Sequence, residues 1–244
     1  ATCFESITPG SVMSSVTPVG LPALADGPLL PRALNADSSV GMTKTYLDKI
    51  YSADSTDLRP FYAQWAQSYD QEVGENGYIT PLRIAEALAR HVKDLSIPIL
   101  DYGCGTGISG QAFQEAGFPT IDGVDISDEM LEVAAQKKIY RRLEVFAPET
   151  GPDVKLGAYN IIAAVGVIGA GAAPLAVLDQ IMALLAPKGL LVFSFNDHTL
   201  EDPAYDGRVK NYVKQGQAAL HLKDYGDHLP KQKINSNIYI LEKL

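Results

Sequence analysis

The spacing of apolar positions changes several times along the chain, and these changes predict alternating helices and strands. Between residues 80 and 92 the apolar side chains recur every three or four positions, which indicates a helix with one buried face. Residues 97–100 form a short apolar run typical of a strand that is buried on both faces. Such alternation predicts an α/β domain with a mostly parallel sheet.

The predicted elements fill the chain from about residue 57 onward. Asp57, Thr80 with Pro81, and Ser127 are predicted to start helices as capping residues. Gly117 is predicted to end the helix that follows a glycine-rich turn. Pro174 is expected to open a helix that runs to about residue 185. Strands are expected at residues 97–100, 120–126, 142–146, 159–165, 189–195, 218–222 and 237–241.

The first 41 residues differ in composition from the rest of the chain. They are rich in Ser, Pro, Gly, Ala and Thr, contain Arg32 as their one basic residue, and show no periodicity, so we predict an arm or linker. Residues 42–244 are then the folded domain. Met42 opens a segment of different character and would serve as a start, so one hypothesis is that residues 1–41 are not native. The alternative is a genuine arm that packs on the domain or on a partner.

Composition and charge exclude several function classes. Twenty Lys and Arg against 29 Asp and Glu leave a net charge of −9, which repels phosphate backbones and argues against nucleic acid as a partner. Cys3 and Cys104 are too few for a disulfide framework or a thiolate zinc site, and they favour a reducing cytoplasm. Residues 156–178 carry no charge, but several glycines and Pro174 interrupt them, so no membrane span is expected.

The most informative segment is a glycine-rich turn that follows a buried strand. The apolar run ends at Asp101, and Gly103, Gly105 and Gly107 then alternate before a helix. Such a turn lets a ligand approach the backbone closely and meet free N–H groups. Asp125 ends the next predicted strand, where its two oxygens can accept hydrogen bonds from both hydroxyls of a ribose. The segment therefore predicts an adenosine-like ligand.

Two chemistries compete for this turn. Residues 105–110 satisfy G-x-G-x-x-G, so an NAD-dependent oxidoreductase is one interpretation. Against it, Asp101 and the extra Gly103 stand between the strand and this fingerprint, and a carboxylate there suits a ligand that carries an ammonium or sulfonium group. The Tyr-x-x-x-Lys pattern of short-chain dehydrogenases occurs only at Tyr239 and Lys243, too late in the chain.

Three segments in this order resemble the class I S-adenosylmethionine-dependent methyltransferases. They are ILDYGCGTG at residues 99–107, GVDISDEMLEVAAQK at 123–137 and LLAPKGLLVFSF at 184–195. The similarity covers about residues 61–244. Within the family, FYAQWAQSYDQEV at residues 61–73, together with the second segment, is similar to the small methyltransferases related to the one encoded in the Williams–Beuren syndrome region.

This resemblance implies a fold, a cofactor and a set of site residues. The fold is a Rossmann-like, doubly wound, seven-stranded and mostly parallel sheet with helices on both faces and an antiparallel last strand. The cofactor is S-adenosylmethionine, with Asp125 at its ribose, Ile126 and Met130 beside its adenine, and Tyr69 near its methionine end. The implied cofactor-binding residues are Tyr69, Asp101, Gly103, Cys104, Gly105, Gly107, Asp125, Ile126, Met130 and Val165.

The expected reaction is methyl transfer to a small-molecule acceptor by in-line displacement. Positioning and desolvation can supply most of its acceleration, so no catalytic residue is assigned. His198, which follows the fifth strand, is the best candidate for a base, and its alternative role is that of a solvent-facing loop residue. The Lys and Arg residues within 208–233 could face an acidic substrate or form a solvated surface. Because no base is evident, a non-catalytic S-adenosylmethionine-binding protein is a further alternative; no metal-binding pattern is present.

Overall fold

The computed structural model describes residues 45–50 and 58–244. The predicted arm at residues 1–41 and the predicted helix cap Asp57 lie outside the described residues.

Within the described residues, seven strands form one sheet in the order β3-β2-β1-β4-β5-β7-β6. Strands β1 to β5 pair in parallel, whereas β7 runs antiparallel to both β5 and β6. This topology confirms the expected Rossmann-like sheet with an antiparallel last strand. The strands are β1 (Ile99–Tyr102), β2 (Ile121–Asp125), β3 (Arg142–Val145), β4 (Ile161–Ala164), β5 (Leu190–Asn196), β6 (Ala218–Leu229) and β7 (Ile234–Lys243).

Helices cover both faces of the sheet because successive strand residues point to opposite sides. In β1, Ile99 belongs to one apolar cluster and Leu100 to the other. The first cluster contains residues of α3 and α4, and the second contains residues of α6 and α8. The helices are α1 (Tyr46–Ile50), α2 (Arg59–Glu75), α3 (Thr80–His91), α4 (Ile108–Glu115), α5 (Asp128–Gln136), α6 (Ala176–Leu184), α7 (Asp197–Leu200) and α8 (Pro203–Lys214).

The structure confirms the predicted helix ends at Thr80, Gly117 and Ser127, but it does not confirm the capping role of Thr80. The Ser127 hydroxyl caps α5 by accepting a hydrogen bond from the Met130 N–H at 3.3 Å. Gly117 follows α4 with a φ of +100°, as expected for a residue that ends a helix. Thr80, however, makes no capping hydrogen bond to α3. Its hydroxyl instead lies 2.8 Å from His228 Nδ1, so this hydroxyl is committed to a distant strand.

The predicted strand bounds were wrong at β1 and at the end of the chain. Strand β1 begins after Pro98, which has no N–H to donate to a neighbouring strand, and it extends through Asp101 to Tyr102. Strands β6 and β7 are both longer than predicted, and helices α7 and α8 were not assigned. Of the chain that the structure describes, no helix is long and apolar enough to cross a membrane.

Candidate active site

A cavity of about 290 Å³ lies at the carboxyl ends of the parallel strands. The glycine-rich turn after β1, the end of β2, the loop after β4 and helix α2 supply its walls. In open α/β sheets this edge is where ligands bind. The cavity is therefore the candidate active site.

The glycine-rich turn adopts a left-handed backbone, which glycine tolerates because it has no Cβ. Gly103 has a φ of +71° and Gly105 a φ of +52°. A Cβ on Gly103 would lie 2.6 Å from the Val167 Cγ2 atom, so no larger residue fits there. A Cβ on Gly105 would meet no described atom within 4 Å, which means that this backbone faces open space where a ligand can lie.

Asp125, at the end of β2, is held in place by backbone donors. Its Oδ2 accepts a hydrogen bond from the Gly105 N–H at 2.8 Å, and its Oδ1 accepts one from the Ser127 N–H at 3.0 Å. Burial raises the pKa of Asp125, while these backbone hydrogen bonds oppose the rise. Each carboxylate oxygen has two acceptor sites, so both oxygens can still accept a hydrogen bond from a ligand hydroxyl.

Asp101 occupies a different environment, beneath the turn. Its carboxyl group is fully buried and does not line the cavity. Oδ2 accepts hydrogen bonds from the Ser109 hydroxyl at 2.6 Å and the Tyr140 hydroxyl at 2.8 Å, whereas Oδ1 has no partner among the described residues. Burial raises the pKa of Asp101 to about 6, and the nearby Asp125 adds to the rise.

The structure brings most of the predicted site residues to this cavity. Asp101 and Gly107 are not on its wall; Gly107 starts helix α4 beside Tyr140. Burial raises the pKa of the Cys104 thiol and the nearby carboxylates of Asp101 and Asp125 add to the rise, so a nucleophilic role is disfavoured. The roles of all these residues in cofactor binding remain predictions. The residues on the wall are Tyr69, Gly103, Cys104, Gly105, Asp125, Ile126, Met130 and Val165.

Helix α2 covers the cavity and is tied to both of its sides. Tyr62 and Tyr69 project from α2 onto the cavity wall, and the Tyr62 hydroxyl donates to the Gly171 carbonyl at 3.0 Å. Asp70 accepts a hydrogen bond from the Thr106 hydroxyl in the glycine turn and pairs with Lys137 at 2.6 Å. No sequence pattern singled out Asp70, although it follows Tyr69 directly in the segment of residues 61–73.

A second cavity of about 60 Å³ shares the walls of the first. Tyr62, Tyr69 and Tyr78 line both cavities, and His228 lines the smaller one. His198 lines neither cavity; its side chain is 38% exposed and its Nδ1 lies 3.6 Å from Glu201 Oε1. The structure therefore places the candidate base of the sequence analysis away from the candidate active site and a different histidine beside it.

Three of the six basic residues within 208–233 pair with carboxylates of the described chain. Arg208 pairs with Asp179, while Lys210 and Lys223 pair with Asp206 at 2.7 and 2.6 Å. None of these cations lines either cavity, which favours the solvated-surface interpretation. As for metals, no group of three or more potential ligands occurs among the residues described.

Comparison with known proteins assigns the chain to a family. A family model described as a methyltransferase domain matches residues 77–236. Human Methyltransferase-like protein 27 is 31% identical over 137 residues, which are 54% of this chain and 54% of that protein. The Ubiquinone biosynthesis O-methyltransferase of Haemophilus ducreyi is 31% identical over 111 residues, 42% of this chain and 47% of that protein. The chain thus spans about half the length of the curated relatives it matches.

Solved structures support the same fold. A methyltransferase from Haloferax volcanii, in complex with the Trm112 activator, matches with a TM-score of 0.60 and 13% identity over 77% of this chain and 97% of that one. A TehB-like S-adenosylmethionine-dependent methyltransferase from Corynebacterium glutamicum matches with a TM-score of 0.53 and 17% identity over 76% of this chain and 100% of that one. At these identities the likeness shows the fold alone.

Family and fold imply S-adenosylmethionine as the cofactor, and the site fits it. The open space at Gly105 lies beside the Asp125 carboxylate, whose oxygens can accept from ribose hydroxyls. The match to Methyltransferase-like protein 27 is also consistent with the narrower resemblance drawn from residues 61–73. Because the family model covers more than half of the chain, the chain belongs to the class I S-adenosylmethionine-dependent methyltransferases.

Proposed function

We propose that this protein transfers a methyl group from S-adenosylmethionine to a small-molecule acceptor by in-line displacement. The observation that carries the proposal is one cavity whose wall combines two kinds of residue. They are the Gly105 backbone with the Asp125 carboxylate, and the tyrosines of α2 with Tyr78. When bound, the cofactor supplies a methyl group on a positively charged sulfur.

The residues of the chain hold and enclose the reactants in this proposal. Asp125 accepts from the ribose hydroxyls, Ile126 and Met130 flank the adenine, and Tyr69 lies toward the methionine end. Helix α2 covers the site, so the hydrogen bonds of Tyr62 and Asp70 help to exclude water. Orientation and desolvation supply most of the rate in a displacement of this type.

The names of relatives support an oxygen acceptor, and the lining of the cavities supports an uncharged one. Several relatives are named Ubiquinone biosynthesis O-methyltransferase, and one from Halalkalibacterium halodurans, 33% identical over 122 residues, is named Malonyl-[acyl-carrier protein] O-methyltransferase. Among the described residues that line the cavities, Asp125 is the one Asp, Glu, Lys or Arg. An anionic acceptor would therefore meet no cationic side chain on these walls, and a cationic acceptor would meet only the carboxylate that we assign to the ribose.

The proposal includes no nucleic-acid partner, because the net charge of −9 repels phosphate backbones. A cytoplasmic location is part of the proposal, supported by the low cysteine content of the sequence. Fractionation of the native host tests the location directly.

Calorimetric titration with S-adenosylhomocysteine, with NAD titrated separately, tests the proposed function. We expect binding with a Kd of about 1–10 μM for S-adenosylhomocysteine and no binding of NAD. Binding of NAD alone would contradict the proposal and restore the oxidoreductase interpretation. Methyl-labelled S-adenosylmethionine offered with small-molecule acceptors then separates an enzyme from a protein that binds the cofactor without transferring its methyl group.

A further inference from the structure

His228 is a buried histidine on the wall of the smaller cavity. It lies near the end of β6 and is only 6% exposed. Its ring contacts that of Tyr78 at a centroid distance of 5.1 Å. Nδ1 lies 2.8 Å from the Thr80 hydroxyl. Nε2 makes no hydrogen bond to another described residue. It is also not one of the fully buried polar atoms that lack a partner, so it is accessible. One ring nitrogen is therefore fixed and the other is available to a ligand.

A chain of hydroxyl groups fixes the orientation of this ring. The Thr80 hydroxyl lies 3.0 Å from the Ser236 hydroxyl, which accepts a hydrogen bond from the Arg83 guanidinium at 3.1 Å. Both hydroxyls can rotate, so Nδ1 can either donate to Thr80 or accept from it. When Nδ1 donates, Nε2 carries the lone pair. The network thus lets His228 act as a proton acceptor without moving its ring.

The surroundings of His228 keep the ring neutral. Burial is the main cause that lowers the pKa of His228 to about 4; Asp197 opposes the lowering, and Arg83 and His198 contribute to it. The ring therefore has a lone pair to offer throughout the neutral range.

We propose that His228 is the catalytic residue that accepts the proton from a hydroxyl acceptor and that the smaller cavity receives the hydroxyl end of that acceptor. This inference rests on the proposed function. The acceptor oxygen bonds to the methyl carbon, and its O–H proton moves to Nε2. The electron pair of the broken carbon–sulfur bond stays on sulfur, which becomes a neutral thioether. The imidazolium then returns its proton to solvent.

The walls of the two cavities point to the chemical class of this acceptor. Tyr62, Tyr69 and Tyr78 offer ring faces and edges that suit an apolar or aromatic body. A carboxylate acceptor needs no base and would need a cation, which the described lining does not supply. A neutral hydroxyl needs a base near its oxygen, and His228 is the one histidine on either described wall. The class is therefore a neutral hydroxyl compound, such as a phenol.

The variant His228→Asn tests the inference because asparagine can keep a polar atom near Thr80 but has no basic nitrogen at Nε2. We first expect wild type and variant to bind S-adenosylhomocysteine with Kd values within about two-fold of each other. If wild type does not bind it, the proposed function fails and this inference fails with it. If only the variant loses binding, His228 supports the cofactor site and the inference is wrong.

Methyl transfer is then measured with acceptors that share one ring system. The probes are 2-naphthol, 2-naphthylamine and 2-naphthoic acid, and we expect wild type to methylate the naphthol. His228→Asn should lower kcat for 2-naphthol by about 100-fold while KM changes little, because a general base acts in the transition state. An acceptor that is already ionised, 4-nitrophenol at mildly alkaline pH, should bind with a higher KM because the described walls carry no cation, but its kcat should fall less than about 5-fold in the variant because it has no proton to give up.

Three results would overturn the inference. They are a preference of wild type for the amine or the acid, no transfer to either hydroxyl probe by protein that binds S-adenosylhomocysteine, and equal losses for 2-naphthol and 4-nitrophenol in the variant. His221→Asn is the matched control, since His221 pairs with Glu242 on the surface and lines neither cavity. It should leave transfer to 2-naphthol unchanged.

A binding measurement completes the test without turnover. Nitrogen-15 NMR of histidine-labelled protein should show a neutral His228 ring at about pH 6, where an exposed histidine is partly protonated. Addition of 2-naphthol to the S-adenosylhomocysteine complex should shift the His228 ring signals and leave those of His221 in place. Unchanged His228 signals under saturating 2-naphthol would also overturn the inference.

Discussion

Two buried carboxylates near the glycine turn differ in what their oxygens contact. Asp125 accepts from two backbone N–H groups and lines the main cavity. Asp101 accepts from two side-chain hydroxyls and lies off the cavity wall. The first is therefore arranged to meet a ligand, whereas the second supports the turn from below, and the two residues call for different experiments.

Replacing Asp125 should weaken cofactor binding. Asp125→Ala removes the carboxylate that we assign to the ribose hydroxyls and also the acceptor of the Gly105 N–H. Hydrogen bonds to a charged group contribute about 2 kcal/mol, so the Kd for S-adenosylhomocysteine should rise about 30-fold. Calorimetric titration measures the change. Asp128→Ala, an exposed acid in the first turn of α5, is the control, and an equal effect of both variants would contradict the assignment.

Replacing Asp101 should change how stability depends on pH. The pKa of Asp101 in the folded protein is raised from 3.8 to about 6 by burial, so the folded state holds the proton more tightly than the unfolded chain. The stability that comes from protonated Asp101 is complete below pH 3.8 and is lost as the pH rises through about 6. A shift of about two pKa units corresponds to roughly 3 kcal/mol.

Asp101→Asn keeps a neutral acceptor for Ser109 and Tyr140 but cannot ionise. We expect the variant to be more stable than wild type by about 2–3 kcal/mol above about pH 7 and similar to it below about pH 4. Urea denaturation of both proteins over this range measures the difference, from which the other titrating groups cancel. A difference that stays constant with pH would show that Asp101 does not ionise there.

At the residue scale, the sequence predicts what is local and misses what is distant. The glycine turn and the role of Asp125 can be predicted from the sequence, because a short segment and a fixed spacing determine them. The role of His228 cannot be predicted from the sequence, since its partner Thr80 lies 148 positions away and only the fold brings the two residues together. His198 was predicted to be the base because it follows β5 in the sequence. In the structure its side chain faces Glu201 instead of a cavity.

Helix α2 is the element on which closure of the site depends. Its aromatic residues Tyr62, Trp65 and Tyr69 pack together, with a distance of 4.6 Å between the ring centroids of Trp65 and Tyr69. Asp70 then links the helix to the glycine turn through Thr106 and to α5 through Lys137. The position of α2 over the cavity is therefore coupled to the elements that hold the cofactor in our proposal.

Asp70→Ala should loosen α2 and weaken the cofactor complex moderately. Since the Asp70 side chain is 41% exposed, solvent screening limits its ion pair to less than about 1 kcal/mol, and we expect a two- to five-fold higher Kd for S-adenosylhomocysteine. Hydrogen exchange of residues 59–75 should become faster. Gln71→Ala, on the exposed side of the same helix, should change neither quantity. Equal exchange in Asp70→Ala and wild type would show that other contacts hold α2.

Whole elements were predicted well where their apolar pattern was strong and poorly where it was weak. The central parallel strands are uniformly buried, and the sequence located each of them. Helix α8 has only Val209 buried, so it gave little periodic signal, although Asp202 and Pro203 are a recognisable helix start. Strand β6 continues through Lys223 and Asp224 because it is an edge strand, where polar side chains point to solvent.

At the scale of the whole molecule, the chain combines a family domain with a first segment of different composition. The family model begins at residue 77, and the described wall of the main cavity begins at Leu58. The smaller cavity adds Leu47 and Ile50 from α1. All of these residues lie within the predicted domain of 42–244, and its boundary with residues 1–41 remains a prediction.

Removing residues 1–41 tests this boundary. If the described walls are sufficient to hold the cofactor, the protein that starts at Met42 should bind S-adenosylhomocysteine with a Kd within about two-fold of that of the full chain. Thermal unfolding should show a similar gain in Tm for both proteins at the same saturating ligand concentration, because that gain depends on the affinity of the folded state. A protein that starts at Tyr46 is the matched comparison, since it removes four more residues and keeps α1. A large loss of affinity in both shortened proteins would assign part of the binding site to residues 1–41 and overturn the boundary.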